Sequence, residues 1–195
     1  MRELFKTKSL SLVEKIIDKK DKDRIVYIDS ISSEKAKELL EKVYYWNAKD
    51  RDILTLESQA KKPIRILINA FDGDMKSMFT MINILKMSKT PIYTYNIGMC
   101  GKEAFFVYLM GEKRFAYPHT TTIFSRMMIT EDFKSNQERN NYSRQLLELK
   151  NILIDKTIVN EGQYNKHSDN DWYLDTEELL KNKIALFITT PGQLD

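Results

Sequence analysis

A single cysteine, Cys100, occurs among the 195 residues, so no disulfide can form within the chain and a reducing compartment is expected. The chain also lacks a strong excess of charge: 31 Lys and Arg stand against 28 Asp and Glu, a formal net charge of +3. The basic residues are scattered along the sequence instead of forming a stripe. This distribution argues against a protein that binds nucleic acid.

Long apolar runs are missing as well. The start of the chain has no continuous apolar segment of the kind found in a secretory signal. No run approaches the roughly 20 apolar residues that span a bilayer. The longest run, "AFFVYLMG", predicts a buried helix. The sequence therefore predicts a soluble intracellular protein with one domain and no membrane partner.

Histidine is scarce, which bears on metal binding. The two histidines, His119 and His167, are too far apart and too poorly accompanied to predict a metal site. Asp169 and Asp171 in "SDND" have incomplete spacing for a metal-binding loop, and a polar turn is the better interpretation. We expect neither a metal nor a cofactor.

The pattern of elements is typical of an α/β protein. Short β-branched and aromatic runs, such as Arg24–Asp29 and "PIRILINAF", alternate with runs at helical spacing, such as "MKSMFTMINILKM". This alternation favours a mainly parallel sheet. The polar segment Asn47–Gln59 is predicted to be a connection. A long helix is expected from Ser135 to Val159, and Gly162 is expected to end that helical region.

One turn has the form of a catalytic elbow. Gly98 and Gly101 precede the apolar run, and such a strand-to-helix elbow holds the nucleophilic serine in many hydrolases. Here Lys102 occupies the top of the elbow. The two glycines are expected to remain because the turn needs permissive backbone angles. Cys100 is close enough to Lys102 to suggest a thiol nucleophile, but a buried, inert cysteine is the better interpretation.

The order of these segments resembles the proteolytic subunit of the Clp protease (ClpP). The resemblance covers about Arg24 to Leu186 and rests on "INAFDG", "TPIYTYNIGMCGKEAFFVYLMG", "KRFAYPHTTTIFS" and "DNDWYLDTEE", in this order. It implies a ClpP/crotonase-type α/β fold of stacked β-turn-α units. Residues 1–23 would be an N-terminal or axial segment, residues 24–195 the ClpP-like domain, and residues 135–159 a projecting handle helix.

The resemblance also implies that most catalytic residues of the family are replaced in this chain. The family's serine nucleophile falls on Lys102, its histidine base on Ser125 and its aspartate on Asp171, which is retained. The glycine pair of the oxyanion loop falls on Asp72 and Gly73, so a carboxylate stands where a developing negative charge must be stabilised. The chain is therefore identified as a degenerate, ClpR-like member of the family in which peptidase activity is expected to be lost. The emptied pocket is expected to hold Lys102 in an ion pair with Asp72 or Asp171.

Assembly is a further implication of the resemblance. Leu146, Leu149 and Leu153, with Ile154, fall at helical spacing and are expected to bury the handle against the facing subunit of a second ring. The expected partners are the chain itself or an active ClpP in heptameric rings, and a Clp AAA+ ATPase. Arg65 and Leu67 replace family aromatics and weaken the case for ATPase docking. The expected location is the cytoplasm of a bacterial or phage-infected cell, or alternatively the plastid stroma.

Two other functions are compatible with the same sequence. A swapped pair, with Ser125 as nucleophile and Lys102 as base, would make the chain an unusual serine hydrolase. A third hypothesis is an inhibitor or binding module that acts on a partner ClpP. The sequence favours the non-catalytic subunit over both.

Overall fold

The fold is a parallel β-sheet flanked by helices. The computed structural model describes residues 23–53, 62–127, 133–167 and 170–189. Within these ranges the chain forms one sheet of seven strands, in which β1-β2-β3-β4-β7 are neighbours in that order and β5 pairs with β3. All these pairs are parallel, and β6 joins the far side of β5 in the antiparallel sense. The strands are β1 (Ile25–Ile28), β2 (Ile64–Ala70), β3 (Ile92–Gly101), β4 (Lys113–Ala116), β5 (Thr121–Phe124), β6 (Trp172–Leu174) and β7 (Phe187–Ile188).

Six helices lie within the described ranges, and several begin at side chains suited to capping. Asp74, Ser135, Asn160 and Asp175 each accept a hydrogen bond from the backbone N–H three residues later, which satisfies an otherwise unpaired donor. None of the helices within the described residues is both long and apolar enough to cross a membrane. The helices are α1 (Ser33–Ile53), α2 (Met75–Met87), α3 (Lys102–Tyr108), α4 (Asn136–Lys156), α5 (Glu161–Lys166) and α6 (Thr176–Lys181).

The core lies between the sheet and the helices. Ile64, Ile66 and Ile68 of β2 are fully buried, as the alternation in "PIRILINAF" predicts. The helix α3 is buried along its whole length after Glu103, which confirms the buried helix expected from the apolar run. This arrangement fixes α3 rigidly at the end of β3, where the elbow lies.

The first helix is longer than expected. The prediction that Asn47–Gln59 is a connection is wrong up to Ile53, where α1 ends. The reason is a buried polar contact: Asp50 accepts a hydrogen bond of 2.9 Å from Arg24 Nη1 and another from the hydroxyl of Thr90. Burying a carboxylate is tolerated because it is paired with a cation and hydrogen-bonded. A polar stretch therefore continues the helix.

The handle helix is where the structure departs most from expectation. Its N-terminal half is largely exposed, and the helix ends at Lys156 instead of Val159. Leu149 and Leu153 are 2% and 1% exposed because they pack into the core of their own subunit. They present no surface to a second ring, and the expectation that they form the ring-to-ring seam is wrong. Leu146 is half-buried.

Two further expectations concern Gly162 and the N-terminal segment. Gly162 does not end a helix but lies inside α5, which starts with a reciprocal cap between Asn160 and Gln163. The expected segment 1–23 lies outside the described residues except for Asp23, so its role stays a prediction.

Candidate functional site

The elbow joins β3 directly to α3, and the strained residue in it is Lys102. Its φ of 44° lies in the left-handed region, where a side chain other than glycine is disfavoured by about 1–2 kcal/mol. Gly101 has an extended backbone, with φ −141°. The expectation that the elbow glycines serve unusual backbone angles is therefore wrong for Gly101. Space is the reason: a Cβ on Gly101 would lie 2.7 Å from the Phe71 ring, and one on Gly98 would lie 2.4 Å from Asn69 Oδ1.

Strand pairing brings the three sequence-predicted catalytic positions to one end of the sheet. Gly101 of β3 pairs with Ile123 of β5, and Phe124 of β5 pairs with Trp172 of β6. Lys102, Ser125 and Asp171 each lie one residue beyond these paired positions. The oxyanion-loop positions follow β2 nearby, where Gly73 forms a backbone bridge with Ile31. The topology thus brings the three positions to the same edge of the sheet.

The side chain of Lys102 does not form the expected ion pair. Its Nζ lies 4.8 Å from the centroid of the Phe71 ring, a cation–π contact. Neither Asp72 nor Asp171 approaches Lys102 within ion-pair distance, and both carboxylates are exposed. The prediction of a Lys102–carboxylate pair is wrong. An exposed carboxylate keeps its hydration, and a surface ion pair would add little to it.

Ser125 is equally isolated. The residue is 8% exposed, and its Oγ is buried without a hydrogen-bond partner among the described residues. The hydroxyl therefore makes no hydrogen bond to Lys102. A serine needs a base within hydrogen-bond reach to act as a nucleophile, so the swapped pair is not assembled in this structure.

Glu103 is a member of the site that the sequence analysis missed. Its Oε2 is buried without a hydrogen-bond partner among the described residues. Burial raises the pKa of the Glu103 carboxyl, and the nearby Asp72 acts in the same direction. The backbone N–H groups of Glu103 and Gly73 and the charge of Lys102 partly oppose that rise in the pKa. The signal was available in the sequence, because Glu103 is the single acid between Gly98 and Gly111.

The remaining candidates from the sequence are Cys100, the two histidines and the aspartates of "SDND". Cys100 is completely buried, and this burial raises the pKa of its thiol far above the ordinary value, as suits an inert cysteine. His167 stacks on Trp172 with ring centroids 4.3 Å apart, whereas His119 is exposed. No group of three metal-ligating side chains occurs among the described residues, which do not include Asp169.

The sheet, the strand-to-helix elbow and the three converging positions define the class of ClpP-type α/β peptidase folds. The family model of Clp protease matches residues 7–191, so the chain belongs to the Clp protease family. A mutant ClpP1 from Listeria monocytogenes matches with a TM-score of 0.74 over 93% of this chain and 97% of that chain, at 21% identity. This match confirms the predicted ClpP-type fold.

Curated relatives agree with the family. The ATP-dependent Clp protease proteolytic subunit 2 of Treponema denticola is 24% identical over 156 residues, which are 76% of this chain and 74% of that protein. The subunit of the same name from Borreliella burgdorferi is 25% identical over 155 residues, which are 73% and 76% of the two chains. The chain is therefore similar to Clp proteolytic subunits over most of their length.

Proposed function

We propose that this chain is a non-catalytic subunit of a Clp protease, which acts through assembly and not through peptide cleavage. The observation that carries the proposal is the state of the elbow: the nucleophile position holds Lys102, whose Nζ rests on the Phe71 ring. Ser125, at the base position, has a buried hydroxyl without a partner among the described residues. Neither side chain can activate the other in this geometry.

The electrostatics around the elbow support the same conclusion. Two carboxyl groups, Asp72 and Glu103, are close enough to influence each other where the family stabilises an oxyanion. Negative charge at this place would oppose the charge that develops during acyl transfer. Loss of a single oxyanion donor costs about 3–4 kcal/mol of transition-state stabilisation in a well-studied protease. Several changes at one site would therefore remove the activity.

Assembly supplies the remaining part of the proposal. Members of the family form ring assemblies in Clp protease complexes. The partner of this chain would be a second copy of itself or an active ClpP subunit, in the cytoplasm. Direct docking of a Clp ATPase is the weaker part of the proposal, because Arg65 donates a hydrogen bond to the Asp23 carbonyl and does not supply an aromatic surface.

Peptidase activity is the direct test. Purified protein should leave short fluorogenic peptides intact and should not react with a serine-directed fluorophosphonate probe, while an active ClpP assayed in parallel does both. The variant Lys102→Ser should also stay unlabelled, because the base position still holds Ser125. Labelling of the unmodified chain that disappears in Ser125→Ala would refute the proposal and establish Ser125 as a nucleophile.

A further inference from the structure

The loop after β2 packs directly against the elbow. In the sheet, Ala70 at the end of β2 pairs with Cys100 near the end of β3. One residue further along each segment, a Cβ on Gly101 would lie 3.3 Å from the carbonyl oxygen of Phe71. The loop that continues from Phe71 and the helix that continues from Gly101 therefore start in direct contact.

The backbone of Gly73 in this loop is held in place from its other side. Gly73 forms a parallel backbone bridge with Ile31, and a Cβ on Gly73 would lie only 2.3 Å from the Cβ of Ile31. The hydrogen bond of 3.0 Å to the Ile31 carbonyl is donated by the N–H of Asp74. This bond does not occupy the N–H of Gly73, but it fixes the direction of the neighbouring backbone.

The carboxyl group of Glu103 is turned into the same contact. Glu103 is the second residue of α3, and its Oε2 is buried without a hydrogen-bond partner among the described residues. The backbone N–H groups of Gly73 and of Glu103 itself act as donors toward this carboxyl group. Two donors from different segments thus converge on one acidic side chain.

These two N–H groups have a defined place in the fold. Gly73 belongs to the oxyanion loop, and Glu103 directly follows Lys102, which stands at the position of the nucleophile. In hydrolases with an elbow of this kind, the oxyanion is stabilised by the N–H after the nucleophile and by an N–H from a neighbouring loop. A carboxylate offers the same donors a negative charge and acceptor oxygens. The Glu103 carboxyl group therefore stands where a substrate oxygen would be held.

We propose that the Glu103 carboxyl group is an internal ligand of the oxyanion position and closes it to carbonyl and carboxylate oxygens from other molecules. The inference rests on the proposed function in one respect, since a position filled in this way has no use in catalysis. It goes further because it gives Glu103 an autoinhibitory role. It also identifies what could enter if this side chain were shortened: a small carboxylate such as formate, which matches the lost group in size and charge.

Shortening the side chain should open the position to formate. In Glu103→Ala the two N–H groups lose their acceptor, and sodium formate at about 0.2 M should raise the melting temperature by about 2–4 °C more than sodium chloride does. Neither the unmodified chain nor Glu103→Gln should show this excess, because a carboxylate or amide oxygen still fills the position. Glu112→Ala removes an exposed acid outside the elbow and is the control for general effects of formate.

NMR spectroscopy of the unmodified chain covers the case that Glu103→Ala does not fold. The amide protons of Gly73 and Glu103 should shift with the same midpoint as the carboxyl carbon of Glu103 when the pH is varied. Asp72 and Lys102 are the other charged groups that act on this carboxyl. Glu103→Gln should abolish the shift at Gly73, whereas Asp72→Asn should retain it, which excludes Asp72 as its source.

The results that would overturn the internal ligand are distinct from those that test peptidase activity. A folded Glu103→Ala that gains nothing from formate, or an unmodified chain that gains as much, would contradict the proposal. A Gly73 amide proton that does not follow the titration of Glu103 would also contradict it. None of these results depends on peptide cleavage, so the internal ligand can fail while the non-catalytic function stands.

Discussion

At the scale of single residues, the elbow places a lysine, Lys102, at a position with an unfavourable backbone conformation. Lys102 adopts a φ of 44°, which is a strained value for a lysine. In this conformation the side chain of Lys102 lies over the ring of Phe71. The fold imposes the conformation: β3 must turn directly into α3, whatever residue stands at the junction.

This strain can be measured with two substitutions at Lys102. Lys102→Ala and Lys102→Gly both remove the cation–π contact with Phe71, but only glycine accepts a positive φ without strain. We expect the glycine variant to be more stable than the alanine variant by about 1 kcal/mol. Urea denaturation of both variants checks this difference. An alanine variant of equal or greater stability would mean that the elbow relaxes when the lysine is removed.

Glu103 should make the stability of the chain depend on pH. Its carboxyl pKa in the folded state is raised above the ordinary value of 4.5, mainly by burial, so folding favours the protonated form. Stability is therefore highest below pH 4.5 as far as this group is concerned, and is lost as the pH rises through the folded-state pKa. At neutral pH the raised pKa of the Glu103 carboxyl therefore lowers the stability of the fold.

The variant Glu103→Gln removes this titration. It should be more stable than the unmodified chain at neutral pH, and the difference should shrink as the pH falls below about 4.5, where the carboxyl is protonated in both states. Denaturation curves collected across this pH range measure the effect. Glu112→Gln, at an exposed loop position, is the control and should show no comparable dependence. A constant difference at all pH values would contradict the assignment.

At the scale of elements, the C-terminal half of the handle helix packs into the core of its own subunit, and the N-terminal half does not. Leu149, Ile152 and Leu153 fill the core of their own chain, while the N-terminal half of α4 is largely exposed. Arg114 strengthens the same junction by donating hydrogen bonds to the carbonyl of Lys156, at the end of α4, and to that of Lys183, two residues after α6. The base of the handle is thus part of the head.

Substitutions on α4 should separate these two parts. Leu149→Ala should destabilise the fold by about 2–5 kcal/mol, because it leaves a cavity in a packed core. Leu147→Ala, two residues away and 54% exposed, should change stability by less than about 0.5 kcal/mol. Thermal denaturation of the two variants distinguishes them. Similar stabilities would show that Leu149 is not held in the core, and would restore its assignment to a contact between rings.

At the scale of the whole molecule, the proposed function requires association. The chain alone, or after mixing with an active ClpP, should give a ring-sized species in mass photometry. Association need not depend on Leu149 or Leu153, because the core already buries both side chains. A protein that stays monomeric and does not associate with ClpP would contradict the proposal of a non-catalytic subunit. It would also contradict the alternative that the chain is an inhibitor of ClpP.

The α/β class and the strand-to-helix elbow were predictable from the residues, and the resemblance to the family singled out Lys102, Ser125 and Asp171. These features depend on local patterns and on the order of segments, which can be recognised in the amino-acid sequence without knowledge of the fold. The run "MKSMFTMINILKM" was expected to be a helix, and α2 has the same bounds, Met75–Met87.

The pairing of the side chains and the surfaces that cover the buried faces depend on contacts between distant parts of the chain. The continuation of α1 to Ile53 depends on Asp50 meeting Arg24, which is 26 residues away. Lys102 rests on Phe71 instead of a carboxylate because the ring lies beneath the elbow while Asp72 and Asp171 face water. The apolar seam of the handle is visible in the sequence, but periodicity shows only that a face is buried and not what covers it. Here the covering surface is the subunit's own core, a contact that exists only once the chain has folded.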